Sequence, residues 1–266
     1  MKRARWGACL WLAVCLGQVA AAEVRVRPVE YRADGLTFRG LYAWDEARAT
    51  RSPGVLVVHE WWGLDEHVRR VAEALAAHGY AALAADLYGE GRHTEHPAEA
   101  RRFAQAARAD PLALERRFRA ALAALAAQPA TDPERLAAVG YCFGGAVVLD
   151  MARAGLPLAG VASFHGALAP GVRARPGQVR ARILVLHGGA DPLVPPEQVR
   201  AFEEEMRELG ADYRLLVYPG ARHGFTNPRA TELGERHHLP LAYDPEADRA
   251  SFAALLGFLA ELWPAP

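Results

Sequence analysis

Lysine is almost missing from this chain of 266 residues: 30 of its 31 basic side chains are arginine, and Lys2 is the exception. A Schiff-base mechanism or a P-loop phosphate cradle would have nowhere to sit unless Lys2 supplied the amine. Cysteine is scarce as well, with Cys9, Cys15 and Cys142. An excess of one charge is also absent, since 31 Lys and Arg face 31 Asp and Glu, which excludes a polybasic nucleic-acid binder. With 52% hydrophobic and 23% charged residues, the composition is that of a globular chain and not a disordered one.

The first 22 residues read as a signal peptide. Lys2, Arg3 and Arg5 form a basic start, and Trp6 to Leu16 is an apolar stretch too short to span a bilayer comfortably. Ala20, Ala21 and Ala22 offer the small residues of a cleavage site, so Glu23 is the expected new terminus and the protein is expected to be periplasmic or secreted. Leu12-Ala13-Val14-Cys15 faintly resembles a lipidation box, but Val14 is bulkier than the small residue such a box places there, so no lasting membrane anchor is expected. Removing the segment leaves a slightly acidic, lysine-free chain whose one cysteine is Cys142. An exported protein normally pairs its cysteines, so a single thiol calls for another explanation.

Residues 23–266 show no repeat or linker and read as one α/β domain, a mostly parallel sheet with helices on both faces. Val24–Tyr31 and Leu36–Trp44 form an expected opening hairpin turning at Asp34-Gly35. Further strands are expected at Val55–His59, Tyr80–Ala85, Leu136–Gly140, Leu158–Phe164, Ile183–His187 and Tyr213–Tyr218. Helices are expected after Asp65, over Pro97–Ala107, Pro111–Ala127 and Phe143–Arg153, before Gly210, and from about Pro245 with Phe252, Leu255, Leu256 and Leu259 inward.

The sharpest motif is Gly140-Tyr141-Cys142-Phe143-Gly144-Gly145, set between an expected strand and an expected buried helix. That is the context of a nucleophile elbow, in which a strained turn exposes the central side chain. The helix N-terminus would stabilise a thiolate there. A thiol nucleophile needs a base, and the base needs an orienting acid. Asp191 follows an expected strand in Gly188-Gly189-Ala190-Asp191-Pro192, and His223 follows the last strand in a loop able to reach the elbow. Nucleophile, acid and histidine then occur in the order that such elbows use. Phe143 and Trp61 would supply the oxyanion-hole N–H groups, Trp61 from His59-Glu60-Trp61-Trp62-Gly63, with Glu60 projecting into the same pocket. His67, His78, His237 and His238 are expected at the solvent, and His93-Thr94-Glu95-His96 lacks a third metal ligand.

These segments, together with Asp86-Leu87-Tyr88, His187-Gly188-Gly189-Ala190-Asp191 and His223-Gly224-Phe225, resemble the dienelactone hydrolase family of the α/β-hydrolase fold across nearly the whole mature chain. The resemblance implies a Cys142, Asp191 and His223 triad acting on an ester or lactone, without metal or organic cofactor. It also implies that Glu60 contacts the resting thiol and shifts when substrate binds. Trp62, Tyr88, Arg92, His165 and Phe225 are the candidate pocket residues. The match departs at two places: Glu90 and Asn227 occupy positions where the family has carboxylate-binding arginines. Two other readings use the same residues. One is an idle binding protein on this fold; the other is a redox thiol, which would need an external reductant because no second cysteine remains to resolve it.

Overall fold

The computed structural model describes residues 22–264; residues 1–21 of the expected signal peptide, Cys15 among them, lie outside the described residues. The strands are β1 (Val24–Ala33), β2 (Leu36–Asp45), β3 (Ser52–Val58), β4 (Ala81–Ala85), β5 (Thr131–Tyr141), β6 (Gly160–Phe164), β7 (Arg182–Gly188) and β8 (Tyr213–Tyr218). They make one eight-stranded sheet in the order β1-β2-β4-β3-β5-β6-β7-β8. β2 runs antiparallel to both β1 and β4, and every other pairing is parallel. This is the mostly parallel sheet expected from the alternation of strand and helix patterns, and it matches the α/β-hydrolase fold that the resemblance implies.

The helices are α1 (Glu66–Ala77), α2 (Pro97–Arg108), α3 (Pro111–Ala126), α4 (Phe143–Arg153), α5 (Pro196–Leu209), α6 (Ala230–His237) and α7 (Pro245–Leu262). Side chains alternate across a strand, and the central strands send alternate residues into two cores. Leu56 and Val58 of β3 join Phe118, Val147, Phe202 and Met206 on the face covered by α3, α4 and α5. Val55 and Val57 join Val68, Leu75, Leu255 and Leu259 on the face covered by α1 and α7. Burial on both faces explains why these strands read as unbroken apolar runs.

Several expectations are corrected. β5 begins at Thr131, not Leu136, because Thr131 and Asp132 pair with Ser52 and Pro53 before the register shifts at Gly54. The inner stripe of α7 is turned: Phe258 is buried, whereas Phe252 and Leu256 are only partly so. His67 is buried on α1 and not solvated. α6 has no counterpart in the expected elements.

The buried α4 also carries two charges. Arg153, 1% exposed, meets Glu205 at 2.8 Å and Asp150 at 3.2 Å, and donates to the Leu168 carbonyl. Asp150 also accepts from the Gly171 and Val172 amides. With its partners in place the guanidinium is tolerated; without one it would be a buried unpaired charge. Among the described residues no helix is long and apolar enough to cross a membrane.

Candidate active site

The C-terminal ends of β3, β5, β7 and β8 lie along one edge of the sheet, which is where open α/β sheets collect their functional groups. β5 ends at Tyr141 and α4 begins at Phe143, leaving Cys142 alone in the turn. Its φ of 51° and ψ of −109° lie outside the regions that ordinary residues prefer. The turn is forced by close packing. A Cβ on Gly140 would lie 2.1 Å from the Gly144 carbonyl oxygen, and one on Gly144 would lie 2.4 Å from that of Val58. Only hydrogen at both positions lets α4 start this close to β3 and β5.

His223, in the loop after β8, places Nε2 3.0 Å from Cys142 Sγ and Nδ1 2.8 Å from Asp191 Oδ2. Asp191 follows β7, and its other oxygen accepts from the Leu193 amide at 2.8 Å. Burial by itself would lower the His223 pKa, but the Cys142 sulfur and the Asp191 carboxylate hold it well above the usual histidine value. The three sequence-derived residues are therefore together, with Cys142 partly exposed and the other two buried.

The loop after β3 is held by groups whose part the sequence did not reveal. The Leu87 amide donates to His59 Nε2, so the proton of this neutral imidazole is on Nδ1, which faces the Glu60 carbonyl at 2.6 Å. Burial lowers the His59 pKa and keeps the ring neutral. Tyr88 donates to the Trp61 carbonyl at 3.0 Å. With the Glu60 carbonyl pinned, the Trp61 N–H of the same trans peptide points the opposite way. Among the described residues neither the Trp61 nor the Phe143 N–H is spent on an intramolecular acceptor, so both remain free to receive a developing oxyanion.

A cavity of about 390 Å³ opens over these groups, lined by Trp61, Cys142, Phe143 and His223 with a mostly apolar wall that includes Leu193 and Leu241. None of the five candidate pocket residues lines it. Trp62 is buried against Ala100 and Leu233. Tyr88 and His59 pack around Phe143. Arg92 is exposed, and its carbonyl crowds Gly63. His165 and Phe225 lie behind His223, where the His165 ring packs edge-on against both and pairs with Thr226 Oγ1 at 2.9 Å. The wall comes instead from Arg101, Ala104 and Arg108 of α2 and from Leu239, Pro240 and Leu241 after α6. No motif marks these residues; the only sequence signal was an apolar triplet in a polar stretch.

Glu60 is buried but does not pair with the thiol as the resemblance implied. Its Oε2 accepts from Asn227 Nδ2 at 2.5 Å. Burial and the nearby Asp65 carboxylate push Glu60 up to about 7, against the pull of Asn227 and His223. Glu90 is exposed and faces Arg39 at 3.8 Å. Asp86 serves the loop, accepting from the Tyr88, Gly89 and Gly91 amides. Among the described residues no group of His, Cys, Asp and Glu could hold a metal ion, and Glu95 is committed to Arg229 and Arg236.

A family model described as the dienelactone hydrolase family matches residues 38–263. A Synechocystis protein named "Putative carboxymethylenebutenolidase" is 30% identical over 190 residues, covering 65% of this chain and 75% of its own. Two solved structures superpose over 90% of this chain and 98% of theirs. One is m3DLH, 38% identical with a TM-score of 0.83. The other is P91 from metagenomic libraries, described as a dienelactone hydrolase-like promiscuous phosphotriesterase, 36% identical with a TM-score of 0.82.

Proposed function

The chain belongs to the dienelactone hydrolase family of carboxylic ester and lactone hydrolases, and we propose that Cys142, His223 and Asp191 carry its chemistry through a thioester intermediate. The observation that carries the proposal is the unbroken chain from Sγ to Nε2 at 3.0 Å and from Nδ1 to the Asp191 carboxylate at 2.8 Å.

His223 accepts the Cys142 proton and becomes an imidazolium that Asp191 stabilises and orients. The thiolate attacks the carbonyl carbon, and the carbonyl electron pair moves onto oxygen. The Trp61 and Phe143 N–H groups hold that oxyanion, a contribution of about 3 kcal/mol per donor in comparable sites. When the intermediate collapses, the C–O bond breaks and the leaving alkoxide takes the proton from His223. For a lactone the alcohol stays tethered to the acyl group. His223 then removes a proton from water, which attacks the thioester, and the carboxylic acid leaves as the thiol is restored.

The mostly apolar cavity suits an apolar acyl or alcohol portion, with Arg101 and Arg108 of α2 in its wall. Glu90 and Asn227 supply no cation for a carboxylate, so this reading does not require dienelactone itself. The likeness to P91 favours a second activity, attack of the same thiolate on an activated phosphotriester. Rapid mixing with an activated aryl ester tests the main reading. It predicts a burst of alcohol equal to the enzyme concentration, with turnover reduced by at least about 10³-fold in Cys142→Ala. Undiminished turnover in that variant would overturn it.

A further inference from the structure

The cavity over the triad carries permanent charge of one sign. Arg101 and Arg108 lie in its wall beside the titratable His223, and among the described residues no Asp or Glu lines it. The chain as a whole leans the other way, being slightly acidic over residues 23–266. A cationic wall around a mostly apolar hollow concentrates a positive field, which draws anions in and holds them more strongly than an open surface does.

Both arginines come from one face of α2. Positions 101, 104 and 108 are three and then four residues apart, and all three line the cavity. The two arginines are about 10 Å apart along the helix axis, and the small Ala104 between them leaves room for a chain to lie. Their situations differ. Arg108 is half-buried, with Nη2 3.4 Å from Asp150 Oδ2. Asp150 is a fixed partner, because Arg153 and the Gly171 and Val172 amides hold it in place. Arg102 lies outside the cavity and pairs with Glu99 at 3.5 Å. Arg101 is exposed at the cavity and has no ion-pair partner among the described residues.

The rest of the wall is apolar, with Leu193 and Val194 on one segment and Leu239, Pro240 and Leu241 on another. A ligand that satisfies the whole cavity therefore has an apolar body and one anionic end. The planar guanidinium fork matches a carboxylate with two N–H groups. One unpaired arginine balances a monoanion; a phosphate dianion would call on Arg108 as well, and Asp150 already holds that side chain.

We propose that Arg101 is a specificity-determining residue that reads a carboxylate at the far end of an apolar acyl chain, so that the preferred substrates are esters of dicarboxylic acids with one end free. The cation stands on α2 and not at the positions of Glu90 and Asn227, so the anion is met at a different wall of the site. Hydrolysis takes up one water, breaks the ester C–O bond and releases the dicarboxylic acid and the alcohol.

The inference rests on the Cys142 reading of the site, and the experiment separates the two. Mono(4-nitrophenyl) adipate and 4-nitrophenyl hexanoate share a leaving group and a six-carbon acyl chain, and differ in whether that chain ends in a carboxylate or a methyl group. The ratio of their kcat/KM values, adipate over hexanoate, is expected to exceed 1 in the wild type. In Arg101→Gln it should fall about tenfold, through KM more than kcat, as loss of a charge-assisted contact remote from the reacting carbon predicts. Gln and Arg are similar helix formers, so the variant should keep its fold. Arg101→Glu should lower the ratio further by like-charge repulsion. Arg102→Gln, one residue along and outside the cavity, should leave it as in the wild type. Raising the ionic strength from about 0.01 to about 0.15 M should slow the adipate more than the hexanoate.

A wild-type ratio of 1 or less would overturn the inference. So would a fall of less than about threefold in Arg101→Gln, or an equal fall in Arg102→Gln. If Cys142→Ala keeps wild-type turnover of both esters, the nucleophile reading fails. If that variant is dead and the ratio ignores Arg101, only the present inference fails.

Discussion

Glu60 shows how strongly one buried side chain couples to pH. Its folded pKa, about 7 against an ordinary 4.5, means that the folded protein holds the proton more tightly than the unfolded chain. Its favourable contribution is complete below about pH 4.5 and is lost as pH rises through 7. A shift of this size corresponds to about 3 kcal/mol. Glu60→Gln should therefore match the wild type at pH 4.5 and exceed it by about 3 kcal/mol at pH 8, as read from denaturant unfolding at the two pH values. An equal difference at both would show that Glu60 does not ionise late. His67 works in the opposite sense, since its lowered pKa weakens the fold as pH falls from about 6.5 towards 4. Its burial was legible: His67, Val71 and Leu75 lie at helical spacing on one face of α1. The assumption that an isolated histidine faces water obscured this. The Glu60–Asn227 pair was not legible, because the two positions are 167 residues apart and nothing in either motif specifies the contact.

Among the elements, those marked by two independent signals were read correctly. α4 runs from Phe143 to Arg153 as expected, because a strand, a glycine-flanked turn and an apolar run fix its start. α1 is capped by Asp65, whose side chain accepts from the His67 and Val68 amides. α6 has neither signal. Its N-cap, Arg229, makes no side-chain cap, and its eight residues include Gly234 and a single buried leucine, Leu233. The cavity wall after α6 was missed with it. The N-terminal segment belongs to this scale too. We propose that it directs export and is cut after Ala22, which leaves β1 intact from Val24. N-terminal sequencing of protein recovered from the periplasm should then read Glu23 first; a chain beginning at Met1 there would refute the cleavage.

For the whole molecule, the sheet is what converts distant positions into a site. β3, β5, β7 and β8 are separated along the chain, yet their ends bring Trp61, Cys142, Asp191 and His223 within reach of one another. Two cores, one on each face of the sheet, hold those strand ends in register. The same economy of residue types that opened the sequence makes the chemistry unusually easy to locate. Residues 23–266 contain one cysteine and no lysine, so a stable acyl group on sulfur has a single possible address and no amine of a lysine to migrate to. The most direct test is therefore intact-mass spectrometry of the protein quenched with acid during turnover of a slow aryl ester, followed by peptide mapping. The account predicts one acyl adduct per chain, on Cys142, cleaved by hydroxylamine and absent in Cys142→Ala. An adduct on any other residue, or turnover with no adduct under conditions where acyl release is rate-limiting, would contradict it.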